Sequence, residues 1–238
     1  MKALIFAAGR GERMRPLTQH TPKPLLVVGG KPLIVWHLEK LAGFGVTEVV
    51  VNTSHLADCF APQLGDGSAW GLRLHFLFEG DEPLETGGGM LNALPLLGDA
   101  PFIAINGDIW TDFDLHVLPR EPNGLAHLVL VNNPEHHPRG DFALGPDHWL
   151  HADAEPRLTF AGIGVYRPGL LDGWREVIGS AAGSDLQPPR FKLAPPLFAA
   201  IRAKQVSGEQ HMGRWTDVGT PQRLSALDAD LTALESPN

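Results

Sequence analysis

The segment that most constrains this chain lies at its start. An apolar run, Leu4-Ile5-Phe6-Ala7-Ala8, stops at Gly9-Arg10-Gly11-Glu12-Arg13-Met14-Arg15-Pro16-Leu17-Thr18, and Thr21-Pro22-Lys23-Pro24 follows. A short apolar run closed by glycine predicts a buried strand that delivers the backbone into a turn. Glycine lets backbone N–H groups approach phosphate oxygens, while Arg and Lys add charge and directed hydrogen bonds. The segment therefore predicts a polyphosphate site at the mouth of a buried strand. Two familiar phosphate loops are excluded. A dinucleotide fingerprint needs glycine where Met14 stands, and no G-x-x-x-x-G-K-[ST] run occurs. Pro22 and Pro24 each fix their own φ, and Pro24 pushes Lys23 toward extended backbone, so the lysine is expected on a stiff tether. The plain alternative is a solvated basic loop after a strand.

Charge bears on that choice. The chain has 238 residues and a net charge of −8, which argues against nucleic acid or an anionic membrane as a partner. Yet residues 1–31 carry Lys2, Arg10, Arg13, Arg15, Lys23 and Lys31 against one acid, Glu12. Basic charge gathered in one loop of an acidic protein points to a small anionic ligand. Cys59 is the one cysteine, so no internal disulfide is expected. The N-terminal apolar run is too short for a signal peptide and no stretch approaches a membrane span, so a cytoplasmic location is expected.

Strand and helix signals alternate in the first half. Ala3–Ala8, Val49–Val51, Leu72–Phe78 and Pro101–Ile105 read as strands. Helices are expected from Pro32 to about Gly43, over Ser54–Leu64 and over Met90–Leu97. This βαβα order predicts a mainly parallel, doubly wound sheet of α/β class, with its site at the carboxyl ends of the strands. Further on, Leu125–Val131, Arg157–Tyr166 and Trp215–Val218 read as strands. Residues 132–156 read as turns with short strands, Gly179–Pro189 as a mobile loop, Phe191–Lys204 as helical once past its prolines, and Pro221–Leu234 as a closing helix. The 27 Gly and 21 Pro suit many functional loops. The length suits one large domain, with no linker or internal repeat.

Gly9 to Pro24 resembles the signature of the sugar-1-phosphate nucleotidyltransferases, G-x-G-x-R-x-x-P-L-T…P-K-P, with Glu12 where many relatives carry threonine. The resemblance implies a single-domain, three-layer α/β/α fold with a Rossmann-like, GT-A-like sheet. The sequence shows no hexapeptide-repeat tail, so no C-terminal domain of that kind is expected; residues 1–110 would form the nucleotide-binding half and 111–238 the sugar-phosphate-binding half. Ala8, Gly9, Gly11, Glu12, Arg13 and Lys23 would then hold the triphosphate. Glu85, Thr86 and Gly87, within Leu84-Glu85-Thr86-Gly87-Gly88-Gly89, would hold base and ribose. The glycines there would let a ligand ring press on the backbone, and Thr86 would cap the next helix. A tight turn is the bland reading of the same residues.

Asn106-Gly107-Asp108 ends the fourth strand, and Trp215-Thr216-Asp217-Val218-Gly219-Thr220 resembles the family's W-x-D-V-G-T motif. Asp108 and Asp217 would hold Mg²⁺, a cation that takes oxygen ligands and bridges phosphates. Either aspartate alone would read as a turn or cap residue. Asn106, Gly140, Asp141, Gly162 and Lys192 would face the sugar phosphate, with Gly162 making room for the sugar. The family's E-K-P motif is missing, so Lys192 stands in for its lysine, or is a solvated lysine at a helix start. His136 and His137 read as solvated surface, and Trp70 and Trp110 as core or loop anchors within reach of a ligand. The implied reaction joins a nucleoside triphosphate to a sugar 1-phosphate, with Arg13, Lys23, Asp108 and Asp217 as its catalytic groups. The motif series is most similar to the branch that uridylylates N-acetylmuramate 1-phosphate in cell-wall recycling. Guanylyl transfer to mannose or heptose 1-phosphate is the alternative, with glucose-1-phosphate uridylyl or thymidylyl transfer beside it. Two other classes are a glycosyltransferase using Asp112-Phe113-Asp114 as a metal motif, and a silent nucleotide-sugar-binding regulator.

Overall fold

The computed structural model describes residues 1–235. The chain runs β1 (Lys2–Phe6), β2 (Val27–Val28), β3 (Lys31–Pro32), α1 (Leu33–Phe44), β4 (Glu48–Thr53), α2 (Phe60–Leu64), β5 (Arg73–Phe78), α3 (Glu85–Leu97), β6 (Phe102–Asn106) and β7 (Ile109–Thr111). It continues through β8 (Ala126–Val131), β9 (Phe142–Leu144), β10 (Leu150–His151), β11 (Arg157–Tyr166), α4 (Trp174–Ile178), α5 (Ala194–Arg202), β12 (Val206–His211), β13 (Trp215–Asp217) and α6 (Pro221–Glu235). Among the described residues, nine strands form one sheet in the order β10-β9-β11-β6-β1-β4-β5, with β8 and β12 branching from β11. β6, β1, β4 and β5 are mutually parallel, and β11 runs antiparallel to β6.

The parallel strands are apolar on both faces because both faces are covered. Ile5, Val49, Val51, Ile103 and Ile105 pack with Ile34, Leu38 and Leu41 of α1. Their neighbours Leu4, Val50 and Ala104 point the other way, onto Met90, Ala93 and Leu97 of α3. Each fully buried aliphatic side chain contributes about 1.5–3 kcal/mol, so these two layers are the main support of the sheet. A smaller cluster joins Met14, Val28, Leu33, Trp110 and Val218 to Leu224, Leu227 and Leu231 of α6. The expected three-layer α/β/α arrangement is present. β1 sits between β4, reached through α1, and β6, reached through α3. The chain thus diverges to opposite sides of β1 at its carboxyl end, which opens a crevice there.

Several local expectations are corrected. The helix over Ser54–Leu64 shrinks to a single turn at Ala57–Cys59 and the short α2. Leu56 takes a left-handed φ of 57°, and the Ser54 hydroxyl donates to the Gly80 carbonyl at 2.7 Å rather than capping a helix. Lys23 opens a one-turn 3₁₀ helix, Lys23–Leu25, in place of extended chain. Pro24 lies within the first turn, where no N–H is needed, and Leu26 N–H closes the turn on the Lys23 carbonyl at 3.1 Å. Helix α3 starts at Glu85, five residues before Met90, so the three glycines are helical. β12 carries Ser, Gly, Glu and Gln, and this polar composition hid an outer strand; β7 and α4 are too short to have shown a period. Gly179–Pro189 has no regular secondary structure.

Candidate active site

The crevice beyond β1 is a cleft of about 520 Å³. Ala7 is fixed at its floor, where its N–H donates to the Asn52 side-chain oxygen at 2.7 Å. Gly11 has φ +62°, and a Cβ there would lie 2.9 Å from Thr18 Cγ2, so this turn requires glycine. Thr18 in turn donates its hydroxyl to the Gly11 carbonyl at 2.8 Å. Buried Met14 anchors the one-turn helix Glu12–Met14, which leaves Glu12 and Arg13 facing outward. Ala8, Gly9, Gly11, Glu12, Arg13 and Lys23 all line the cleft. Among the described residues the Arg13 guanidinium has no hydrogen bond or ion pair. A free cation beside open N–H groups suits a phosphate chain.

Lys23 is 8% exposed, and its Nζ lies 2.6 Å from Asp108 Oδ2. Gly107 carries the turn that presents Asp108: its N–H donates to the Phe6 carbonyl at 2.9 Å, and a Cβ would sit 2.8 Å from that oxygen. Asp217 pairs with Ile109 in the β13–β7 ladder, and Val218 N–H donates to the Asp108 carbonyl at 2.7 Å. The two aspartates therefore stand on neighbouring strand ends. Asp108 and Gly219 line the cleft, whereas Asp217 does not. No group of three or more His, Cys, Asp or Glu that could hold a metal exists among the described residues. Two carboxylates on neighbouring turns beside a cleft lined with basic groups suit Mg²⁺, which uses one or two carboxylates and completes its shell with water and phosphates.

The glycines of the 84–89 segment serve a different purpose from the one expected. Gly87 does not line the cleft; a Cβ on it would meet the Phe191 ring at 2.6 Å, and one on Gly88 would meet the Pro189 carbonyl at 2.3 Å. The ring pressed on this backbone belongs to the chain itself. The N–H groups of Gly87 and Gly88, free at a helix start, donate to the Phe191 carbonyl at 2.9 and 3.0 Å. Thr86 does not cap α3: its hydroxyl accepts from Leu193 N–H at 3.0 Å. Glu85 and Thr86 remain on the cleft wall. Lys192, between the two residues that α3 pins, is exposed, does not line the cleft and has no side-chain partner among the described residues.

Asn106 lines the cleft, and Gly162 lies behind it at φ +78°, where a Cβ would come within 2.8 Å of the Asn106 side-chain nitrogen. Gly162 thus makes room for Asn106. Gly140 and Asp141 do not line the cleft. Asp141 accepts from Phe160 N–H at 2.8 Å and contacts His137 Nε2 at 3.1 Å, which steadies the 134–141 turn. His136 and His137 are therefore not idle surface, since His136 Nε2 lies 2.9 Å from Asp217 Oδ1. Trp110 is buried in an edge contact with Trp36, and Trp70 packs against the larger core. Asp112 and Asp114 are occupied elsewhere. Asp112 Oδ1 meets His211 Nε2 at 2.7 Å and Arg214 N–H at 2.9 Å, and Asp114 caps its own turn. They form no metal pair.

Sequence reasoning assigned no site role to three polar residues of the cleft wall, Arg10, Asn52 and Glu79. Glu79 Oε1 accepts from Asn52 Nδ2 at 2.6 Å and Oε2 accepts from Leu84 N–H at 2.9 Å, so one buried bridge ties β1, β4 and the approach to α3. Burial pushes the Glu79 carboxyl above its ordinary range, with the two hydrogen bonds opposing. A Cβ on Gly89 would lie 2.5 Å from Glu79 Oε1, so this glycine is needed for the bridge. The available signal was positional: Asn52 and Glu79 are polar residues at or just past the ends of apolar strands. Beneath Asp108, His37 is buried and its ring bonds to the Ile109 backbone. Burial, chiefly, lowers its pKa to about 4.

A family model described as nucleotidyl transferase matches residues 2–140. An N-acetylmuramate alpha-1-phosphate uridylyltransferase of Neisseria meningitidis is 48% identical over 236 residues, covering 96% of this chain and 97% of that protein. A mannose-1-phosphate guanylyltransferase of Mycobacterium tuberculosis is 37% identical over 99% of this chain, which spans 66% of that protein. In shape, a crystal structure of a Bacillus anthracis protein assigned as a glucose-1-phosphate thymidylyltransferase superposes with TM-score 0.81. It covers 100% of this chain and 98% of its own at 22% identity, a likeness of fold.

Proposed function

The chain belongs to the nucleotidyl transferase family, and from that premise we propose that it transfers the uridylyl group of UTP to N-acetylmuramate 1-phosphate. The products are UDP-N-acetylmuramate and pyrophosphate, a reaction of cell-wall recycling that draws on the cytoplasmic nucleotide pool. The observation that carries this reading is the wall shared by the Gly9–Arg13 loop, Lys23 and Asp108 in one cleft. The 48% identity along nearly the whole chain to a relative named as an N-acetylmuramate alpha-1-phosphate uridylyltransferase supports this donor and acceptor over GTP and mannose 1-phosphate.

In this reading the loop amides and Arg13 receive the β- and γ-phosphates, and Lys23 lies at the α-phosphate. An oxygen of the sugar phosphate attacks the α-phosphorus; the new P–O bond forms as the bond to the bridging oxygen of pyrophosphate breaks. The attacking oxygen is already anionic, so no general base is needed, and positioning and charge neutralisation supply the catalysis. Arg13 offsets the charge that grows on pyrophosphate. Asp108 and Asp217 would hold Mg²⁺, which when bound draws charge from the phosphate oxygens. Asn106, on the cleft wall, and the exposed Lys192 would receive the sugar phosphate. Asn52 and Glu79 fix the floor on which the nucleotide rests.

The test is pyrophosphate release from UTP with N-acetylmuramate 1-phosphate, run beside GTP with mannose 1-phosphate, each with and without Mg²⁺. Release in the first mixture alone supports the proposal. Release in the second alone retains the family and overturns the donor and acceptor. Loss of neither rate on chelation removes the metal from the mechanism.

A further inference from the structure

Helix α6 begins against its own electrostatics. Thr220 Oγ1 accepts from Arg223 N–H at 3.3 Å, which makes Thr220 the cap and puts Arg223 in the first turn. A helix N-terminus favours anions, so an arginine there is misplaced unless something else holds it. Its guanidinium turns back along the chain, and Nη1 lies 2.6 Å from Asp217 Oδ1. The path crosses Gly219, where a Cβ would lie 2.1 Å from Arg223 Nη2 and 3.0 Å from Asp217 Oδ2. Gly219 is thus the gap through which helix and aspartate meet. Both side chains are mostly shielded, at 21% and 23% exposure, so this pair is not the weak surface kind. His136, from the turn that ends at Asp141, closes on the same oxygen at 2.9 Å.

We infer that Arg223 is a positioning residue for Asp217: it clamps Oδ1 and so leaves Oδ2, which has no partner among the described residues, as the oxygen for the divalent cation. The inference rests on the proposed metal role of Asp217. A carboxylate whose second oxygen is held has one orientation left, and groups that orient metal ligands in this way typically govern affinity by about 10–100-fold. Lys23 meets Oδ2 of Asp108 in the same manner, but it also lines the cleft. Arg223 does not line the cleft, so its effect passes through Asp217.

The test is Mn²⁺ titration of the whole protein, followed by loss of the free-ion EPR signal, in wild type and in Arg223→Met, Arg223→Lys, Gly219→Ala and Asp217→Asn. Arg223→Met is expected to weaken Mn²⁺ at least tenfold and to raise the Mg²⁺ activation constant similarly, with kcat at saturating Mg²⁺ changed less than threefold. Arg223→Lys, which keeps the charge, recovers part of the loss. Gly219→Ala displaces the guanidinium and copies Arg223→Met, and adds nothing in the Arg223→Met background. Unchanged or tighter Mn²⁺ binding by Arg223→Met and Arg223→Lys, with loss in Asp217→Asn, overturns the inference and spares the metal reading. Wild-type Mn²⁺ binding by Asp217→Asn overturns both.

Discussion

His37 offers the sharpest quantitative test of how this site is supported. It lies under the β6–β7 turn at 2% exposure, and its Nε2 has no partner among the described residues. Burial lowers its pKa from 6.5 to about 4, and the hydrogen bond to the Ile109 backbone opposes that shift only in part. Between those two values the unfolded chain binds a proton that the folded chain refuses. Stability from this residue is thus complete above pH 6.5 and is lost as pH falls toward 4. Linkage gives a loss of about 2 kcal/mol from pH 7 to 5, and about 3 kcal/mol by pH 4. Replacing His37 by Phe removes the titration and keeps a buried ring. Urea unfolding at pH 7 and pH 5 would measure it, with the mutant's pH-dependent loss smaller than wild type's by about 2 kcal/mol. Glu79 and the surface carboxylates titrate in both proteins and cancel in the difference. Equal pH dependence in the two, within about 0.5 kcal/mol, would mean that water or a proton reaches the ring, and the argument from burial would fail.

Lys23→Met is expected to lower pyrophosphate release by about 10²–10³-fold, the usual cost of removing one preorganised charge contact, while the protein stays folded; steady-state kinetics with a thermal melt would decide. Gly89→Ala drives a Cβ into the Asn52–Glu79 bridge and should cost about 1–3 kcal/mol, seen as a lower urea midpoint. Asp112→Ala frees His211 and Arg214 N–H, so it should lower the melting temperature yet leave turnover within about twofold. A loss of turnover on the scale of Asp108→Asn would instead revive Asp112-Phe113-Asp114 as a metal motif.

Much of the fold could be read from local pattern. Leu4–Ala8, Val49–Val51 and Pro101–Ile105 had to be buried strands because nothing in them can face water, and their alternation with helices leaves a parallel sheet as the way to bury them. The phosphate loop was equally local, since Gly11, Arg13 and Lys23 sit within fifteen residues of one another and their chemistry does not depend on distant partners. Other features required the tertiary structure. The glycines at 87–89 look like a surface for a ligand until Phe191, Pro189 and Glu79 arrive from elsewhere in the chain to occupy the space. Asn52 and Glu79 become one bridge only when β4 and β5 pair, and Arg223 acquires its purpose when α6 folds back on β13. A sequence displays the groups that carry charge and the periods that bury them. Which polar atom meets which depends on contacts across tens of residues, and only the packing of strands, helices and loops together decides those.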